Sequence, residues 1–195
     1  KVHKRLNNVP GRPVISNCGY VTENISCFLD FHLKPLAQKV KSFIKDTNDF
    51  LCKLKKLPQL PSNALLCSID VVSLYPSIPH EAGLNSLKKT LETREIKSIS
   101  TESLVYLANL VLKNNYFEHG PNTYKQLKGT AIGTKFAPNY SIIYLGGFEE
   151  DALENHELKP WFWWRYIDDI FTIWEHGEEA FITFMEYLNL LISIH

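Results

Sequence analysis

Residues 161–177 read WFWWRYIDDIFTIWEHG. Two carboxylates, Asp168 and Asp169, stand side by side among Trp, Phe, Tyr, Thr and Ile, the composition of strands that pack into a core. Burying one charge in such a place is costly, and burying two of like sign costs more unless a cation sits between them. YI before the pair and IFTIW after it leave no room for a loop. The stretch therefore reads as two strands joined by a tight turn with both acids at its apex. Neighbours along a strand point to opposite faces, so only a turn brings both carboxylates to one site.

Upstream, ALLCSID (64–70) is an apolar run that ends on Asp70 and reads as a buried strand. Alone, Asp70 reads as a turn former or helix cap. Together, an acid ending a buried strand and two at an apolar hairpin make a site for a hard divalent cation. Mg²⁺ prefers carboxylate oxygens and is usually shared with substrate phosphates, and two such ions can serve an in-line phosphoryl displacement. A two-metal nuclease would need further acids or a His beside an activated water, and none stands at a suitable position.

The rest of the chain reads as helices and antiparallel hairpins, an α+β domain. Residues 9–19 suggest a short strand. Thr22 caps a helix whose apolar face is Ile25, Phe28 and Leu29; Pro35 interrupts it, and a second segment continues through Leu36, Val40 and Ile44. A third helical piece follows Asp46 or Thr47, and the proline-rich connector 57–63 is a plausible internal boundary. Helices are expected over 80–93, 101–113 (capped by Ser100 or Thr101), about 139–154 and from 176 onward. A hairpin about Gly-Pro-Asn spans 115–127, and a glycine-punctuated loop covers 129–138. Trp161 and Trp163 share one strand face and Trp164 takes the other. Glu149, Glu150 and Asp151 read as a solvated helix face, and the isolated His3, His80 and His119 as residues without a metal or catalytic role.

In a chain of 195 residues, 45% hydrophobic and 22% charged, the composition is that of a soluble globular protein. No apolar run approaches the ~20 residues of a membrane span. Twenty-one basic and 21 acidic residues cancel, so bulk charge does not argue for nucleic-acid binding. Local patches do: Lys1, Lys4, Arg5 and Arg12 without an acid, and KLKK at 53–56. Cys18, Cys27, Cys52 and Cys67 show no C-x-x-C spacing and read as reduced core thiols of an intracellular protein. The ends, opening in mid-motif and stopping in an apolar pattern, suggest a piece of a longer polypeptide.

These residues resemble a family. YIDD (166–169) matches the Y-x-D-D signature of reverse transcriptases, and SIDVVSLYPSIP (68–79) resembles their first catalytic motif. GRPVIS (11–16) is similar to the fingers motif, and GTAIGTKFAP (129–138) to the loop that supports template and incoming nucleotide. The wording is nearest to Penelope-like retroelement reverse transcriptases, with four motifs in order over almost the whole chain. The resemblance implies a right-hand polymerase, with fingers at 1–60 and an antiparallel palm sheet packed on helices at 61–195. Thumb and primer grip would lie beyond His195.

It also implies RNA-directed DNA synthesis with two Mg²⁺ ions (or Mn²⁺), a deoxynucleoside triphosphate, an RNA template and a DNA primer, in the nucleus. Asp70 and Asp168 would be the main metal ligands, joined by the Val71 carbonyl, with Asp169 as third acid. Arg12, with Lys4 or Lys1, would contact the triphosphate. Tyr75 would crowd a ribose 2′-hydroxyl, and Gly133 would allow close backbone approach. Ile132 stands where retroviral-type enzymes carry Gln. A different class of function, a domesticated retroelement product that binds nucleic acid without polymerising, would share the motifs; the intact acids argue against it.

Overall fold

The computed structural model describes Ile15 and residues 17–194, with side chains to Ile192; the expected strand at 9–19 therefore lies mostly outside the described residues. The first helix, α1 (Glu23–Ala37), buries Ser26, Leu29, Leu33, Leu36 and Ala37, spaced three and four apart on one face. That stripe corrects the expected face, because Phe28 points outward and is 40% exposed. Pro35 does not interrupt the helix. It stands in the last turn, and the carbonyl four residues back belongs to Phe31, 75% exposed, where solvent can replace the missing bond. Thr22 holds the N-cap position, but its hydroxyl donates to Asn17 Oδ1, while Glu23 accepts from the Gly19 amide.

No second helical segment follows at 38–44; the chain turns through Val40 and Phe43 into the next helix, α2 (Thr47–Lys55). Asp46 caps α2 by accepting from Asp49 N at 2.9 Å. Then come strand β1 (Leu65–Asp70), the one-turn helix α3 (Leu74–Ser77), α4 (His80–Glu92) and α5 (Thr101–Lys113). Ser100 caps α5 through Ser103 N at 3.0 Å. A hairpin, β2 (Tyr116–His119) and β3 (Asn122–Lys125), turns on Gly120-Pro121 with Gly120 at φ +62°. Helix α6 (Ala137–Asn155) starts with Pro in its first turn, β4 (Phe162–Tyr166) and β5 (Asp169–Trp174) form the acidic hairpin, and α7 (Glu178–Ile194) follows.

The sheet order is β1-β5-β4, antiparallel throughout. One face packs Leu65, Cys67, Trp163 and Trp174 against Ala152 of α6 and Phe184 and Leu188 of α7. On the other, Phe50 of α2 meets Trp164 and Phe171 edge-on. The two tryptophans thus take opposite faces of β4, as alternation requires. A larger helical core joins α1, α4, α5 and α6 through Leu29, Leu33, Leu87, Leu104, Phe136 and Tyr140. This is an α+β fold with an antiparallel sheet packed on helices.

Two further expectations are corrected. β1 is not buried: it alternates, with Leu65, Cys67 and Ile69 half-covered and Leu66, Ser68 and Asp70 exposed. The cysteines are not core thiols, since Cys18, Cys27 and Cys52 are exposed and Cys67 is half-buried. Cys27 and Cys52 lie on the outward faces of α1 and α2, a placement set by helix phase rather than by sulfur's apolar character.

Candidate active site

Asp70, the last residue of β1, lies directly opposite Asp169, the first residue of β5. Directly opposed residues in an antiparallel pair share a face, with Cβ atoms about 4.5–5.5 Å apart, and like charges there repel. Asp168 occupies the hairpin turn with Ile167, and its carbonyl accepts from Val71 N at 3.1 Å. That bond joins the turn to the end of β1. All three acids stand at one end of the sheet, two at strand ends and one in the turn, where Asp70 and Asp169 are exposed and Asp168 is half-buried. Asp70 and Asp169 keep their contact with solvent and Asp168 keeps part of it, so the charges avoid the full cost of desolvation.

The donors, three carboxylates and the Val71 carbonyl, are the hard oxygens that suit Mg²⁺ or Mn²⁺, and the opposed pair would gain from a cation. Among the described residues no three His, Cys, Asp or Glu side chains are gathered closely enough to hold an ion by themselves. The chain thus fits divalent ions in donor type.

Tyr75 lies on α3, half-buried; burial first, then the neighbouring Asp168 and Tyr166, push its phenol above the usual range. The tyrosine and the turn acid are therefore electrostatic neighbours. Its carbonyl accepts from Thr130 N at 2.8 Å, which docks the glycine-punctuated loop on α3. Gly129 is required there: at φ +71°, a Cβ would stand 2.4 Å from Pro76 Cα and from the Tyr75 carbonyl oxygen. His80 Nε2 donates to Gly129 O at 2.8 Å, a structural bond in the same junction. Gly133 follows at φ +118°, a conformation other residues rarely adopt. Between them, Ile132 O accepts from Ile15 N at 2.9 Å, which ties Ile15 to this loop. Lys1, Lys4 and Arg12 lie outside the described residues.

The residue missed by the sequence reading is Glu149. It is not solvated: only 6% exposed, it receives Arg165 Nε at 2.7 Å and Nη2 at 3.1 Å. Trp163 Nε1 at 2.8 Å and Ser42 Oγ at 2.6 Å complete its partners. Its neighbours Glu150 and Asp151 are exposed, because consecutive helical positions lie 100° apart and only Glu149 faces the sheet. A lone Arg in an apolar strand was the available signal, since a buried guanidinium needs a carboxylate.

Known proteins resemble the chain in fold and in family. The chain is similar to the telomerase of Candida tropicalis truncated from its C-terminal domain, at 16% identity and TM-score 0.59, over 91% of this chain and 38% of that one. It is also similar to Candida albicans telomerase in complex with a fragment of telomeric RNA, at 11% identity and TM-score 0.65, over 89% and 32%. The apo Candida tropicalis telomerase gives 12% identity and TM-score 0.64, over 87% and 33%. At such identities the likeness is one of fold, and this chain spans about a third of those chains' length. No curated protein matches. The family pattern described as "Reverse transcriptase (RNA-dependent DNA polymerase)" matches residues 8–192. With that match across nearly the whole sequence, and with its acids at the strand ends of an antiparallel sheet, the chain belongs to the reverse transcriptase family, whose members are nucleotidyltransferases.

Proposed function

We propose that this chain is the fingers (1–60) and palm (61–195) of an RNA-directed DNA polymerase from a Penelope-like retroelement, acting in the nucleus. The observation that carries the polymerase reading is the placement of Asp70 opposite Asp169 beside the Asp168 turn. The four motifs in their order support the subfamily. An RNA template as partner is supported by the family match and by the telomeric RNA bound to the Candida albicans neighbour. When bound, two Mg²⁺ ions, or Mn²⁺, would lower the pKa of a primer 3′-hydroxyl and neutralise the charge of the triphosphate.

Asp70, Asp168 and the Val71 carbonyl would hold those ions, with Asp169 adding negative charge at the same edge. Arg12, with Lys4 or Lys1, would grip the triphosphate of the incoming deoxynucleotide, a task suited to a planar guanidinium. Tyr75 would stand against the sugar and crowd a 2′-hydroxyl, while Gly133 lets the loop backbone approach. The protein's contribution is chiefly to position reactants and to offset developing charge.

The test is Mg²⁺-dependent primer extension on an RNA template by the full-length protein, beside Asp168→Asn. Extension by the parent and none by the folded variant is expected. Extension surviving Asp168→Asn would overturn the assignment of the site. A folded parent that binds primer–template but extends nothing would instead favour a domesticated nucleic-acid-binding protein.

A further inference from the structure

Arg165 belongs to none of the roles above, yet it is the most constrained side chain near the site. It is 1% exposed, on β4, two residues before the turn. Its planar fork spends Nε and Nη2 on Glu149, adds Nη2 to Ile142 O at 3.1 Å, and directs Nη1 to Ile167 O at 3.0 Å. Three of these contacts go to α6, a long helix in the core. The fourth goes to the turn. Glu149 is itself fixed by Trp163 Nε1 and Ser42 Oγ, so the guanidinium's anchor cannot swing.

Ile167 needs holding. Its φ is +57°, a left-handed conformation that a β-branched residue strongly disfavours. Nothing local favours it, since no glycine or asparagine stands in the turn. The next residue is Asp168, whose own carbonyl receives Val71 N. The direction of the Ile167 carbonyl therefore bears on where the Asp168 backbone sits against the end of β1.

We propose that Arg165, anchored by Glu149, is a positioning residue that holds Ile167 left-handed and thereby sets Asp168 beside Asp70. A charge pair placed here only for packing could be replaced by apolar residues of like volume. The bond to Ile167 O separates the two roles, because only a positioning role predicts rescue by changing residue 167. The proposal rests on the polymerase reading of the acids, and its test keeps the two separable.

Arg165→Lys keeps the charge for Glu149, but one ammonium cannot reach Glu149, Ile142 O and Ile167 O together. In the full-length protein we expect kcat for nucleotide addition to fall at least tenfold, with KM for nucleotide and primer–template changed less than threefold. Hydrogen exchange of the Val71 amide should speed up at least tenfold, while amides at the Leu65–Trp174 end of the sheet keep their rates. Adding Ile167→Asn, which tolerates a left-handed turn, should return both readouts to within threefold of Ile167→Asn alone. If Arg165→Lys does not fold, Glu149→Gln, which loosens the same guanidinium, is read in the same way. Unchanged kcat and Val71 exchange, or losses that Ile167→Asn does not repair, would overturn the proposal. Should the folded parent prove inactive, the polymerase reading fails, and Val71 exchange alone still decides for or against the clamp.

Discussion

Tyr140 puts a hydroxyl where none of the described groups can receive it: the side chain is fully buried and its oxygen has no partner. Burial, then Tyr144, drives its phenol far above the ordinary value of 10. The unfolded chain would lose this proton near pH 10 while the folded chain keeps it. Stability is therefore whole below pH 10 and falls above it, by about 1.4 kcal/mol per pH unit. In urea unfolding between pH 9 and 11, Tyr140→Phe should flatten that decline and at pH 7 should be neutral or stabilising by ~1 kcal/mol. Glu149 behaves oppositely. Removing it strands the Arg165 charge, so Glu149→Ala should cost about 3–5 kcal/mol in the same experiment. The sequence hid this residue inside an acidic run, because a run of like letters says nothing about which helical position meets the sheet. The tight acidic turn at Asp168 and Asp169, by contrast, is legible, since acids among Trp and Ile have few reasons to be there.

At the scale of elements, what was legible was punctuation. Asp46, Ser100 and Gly120-Pro121 marked their helices and hairpin through local chemistry that distant contacts did not override. Where local and distant forces disagree, the distant ones win: Pro35 is tolerated in a solvent-facing last turn, and α1 is rotated so that Leu33 rather than Phe28 faces the core. Helix α4 meets α6 closely at Gly83, where a Cβ would lie 1.9 Å from the Tyr140 hydroxyl. Gly83→Ala gains up to ~1 kcal/mol of helix propensity but overpacks at about 1–3 kcal/mol. A net loss of roughly 1–2 kcal/mol, seen as a lower Tm, is expected. Gly129→Ala meets the Tyr75–Pro76 backbone. It should shift the loop off Tyr75 and raise KM for the deoxynucleotide more than it lowers the melting temperature.

For the molecule as a whole, the helical core decides cooperativity. Leu29 and Leu33 of α1 pack with Leu87, Leu104 and Tyr140, so residues on both sides of the 57–63 connector share one apolar interior. Leu29→Ala should cost about 2–5 kcal/mol and shift a single unfolding transition, with no separate step for residues before 60, by calorimetry. No composition or periodicity could announce that sharing, because it depends on which faces meet. The pairing of β1 with β5 has a kinetic meaning as well. Asp70 and Asp169 become neighbours only when a loop of roughly 100 residues closes, and closure entropy makes such distant pairings slow to form. On refolding from urea, helical signal should return ahead of β1–β5 pairing, read as protection of the Val71 amide from hydrogen exchange. On the proposed reading, the carboxylates act as a proofreader of the chain's own assembly: a polypeptide with its helices formed but β1 and β5 unmet lacks the paired acids that the chemistry would need.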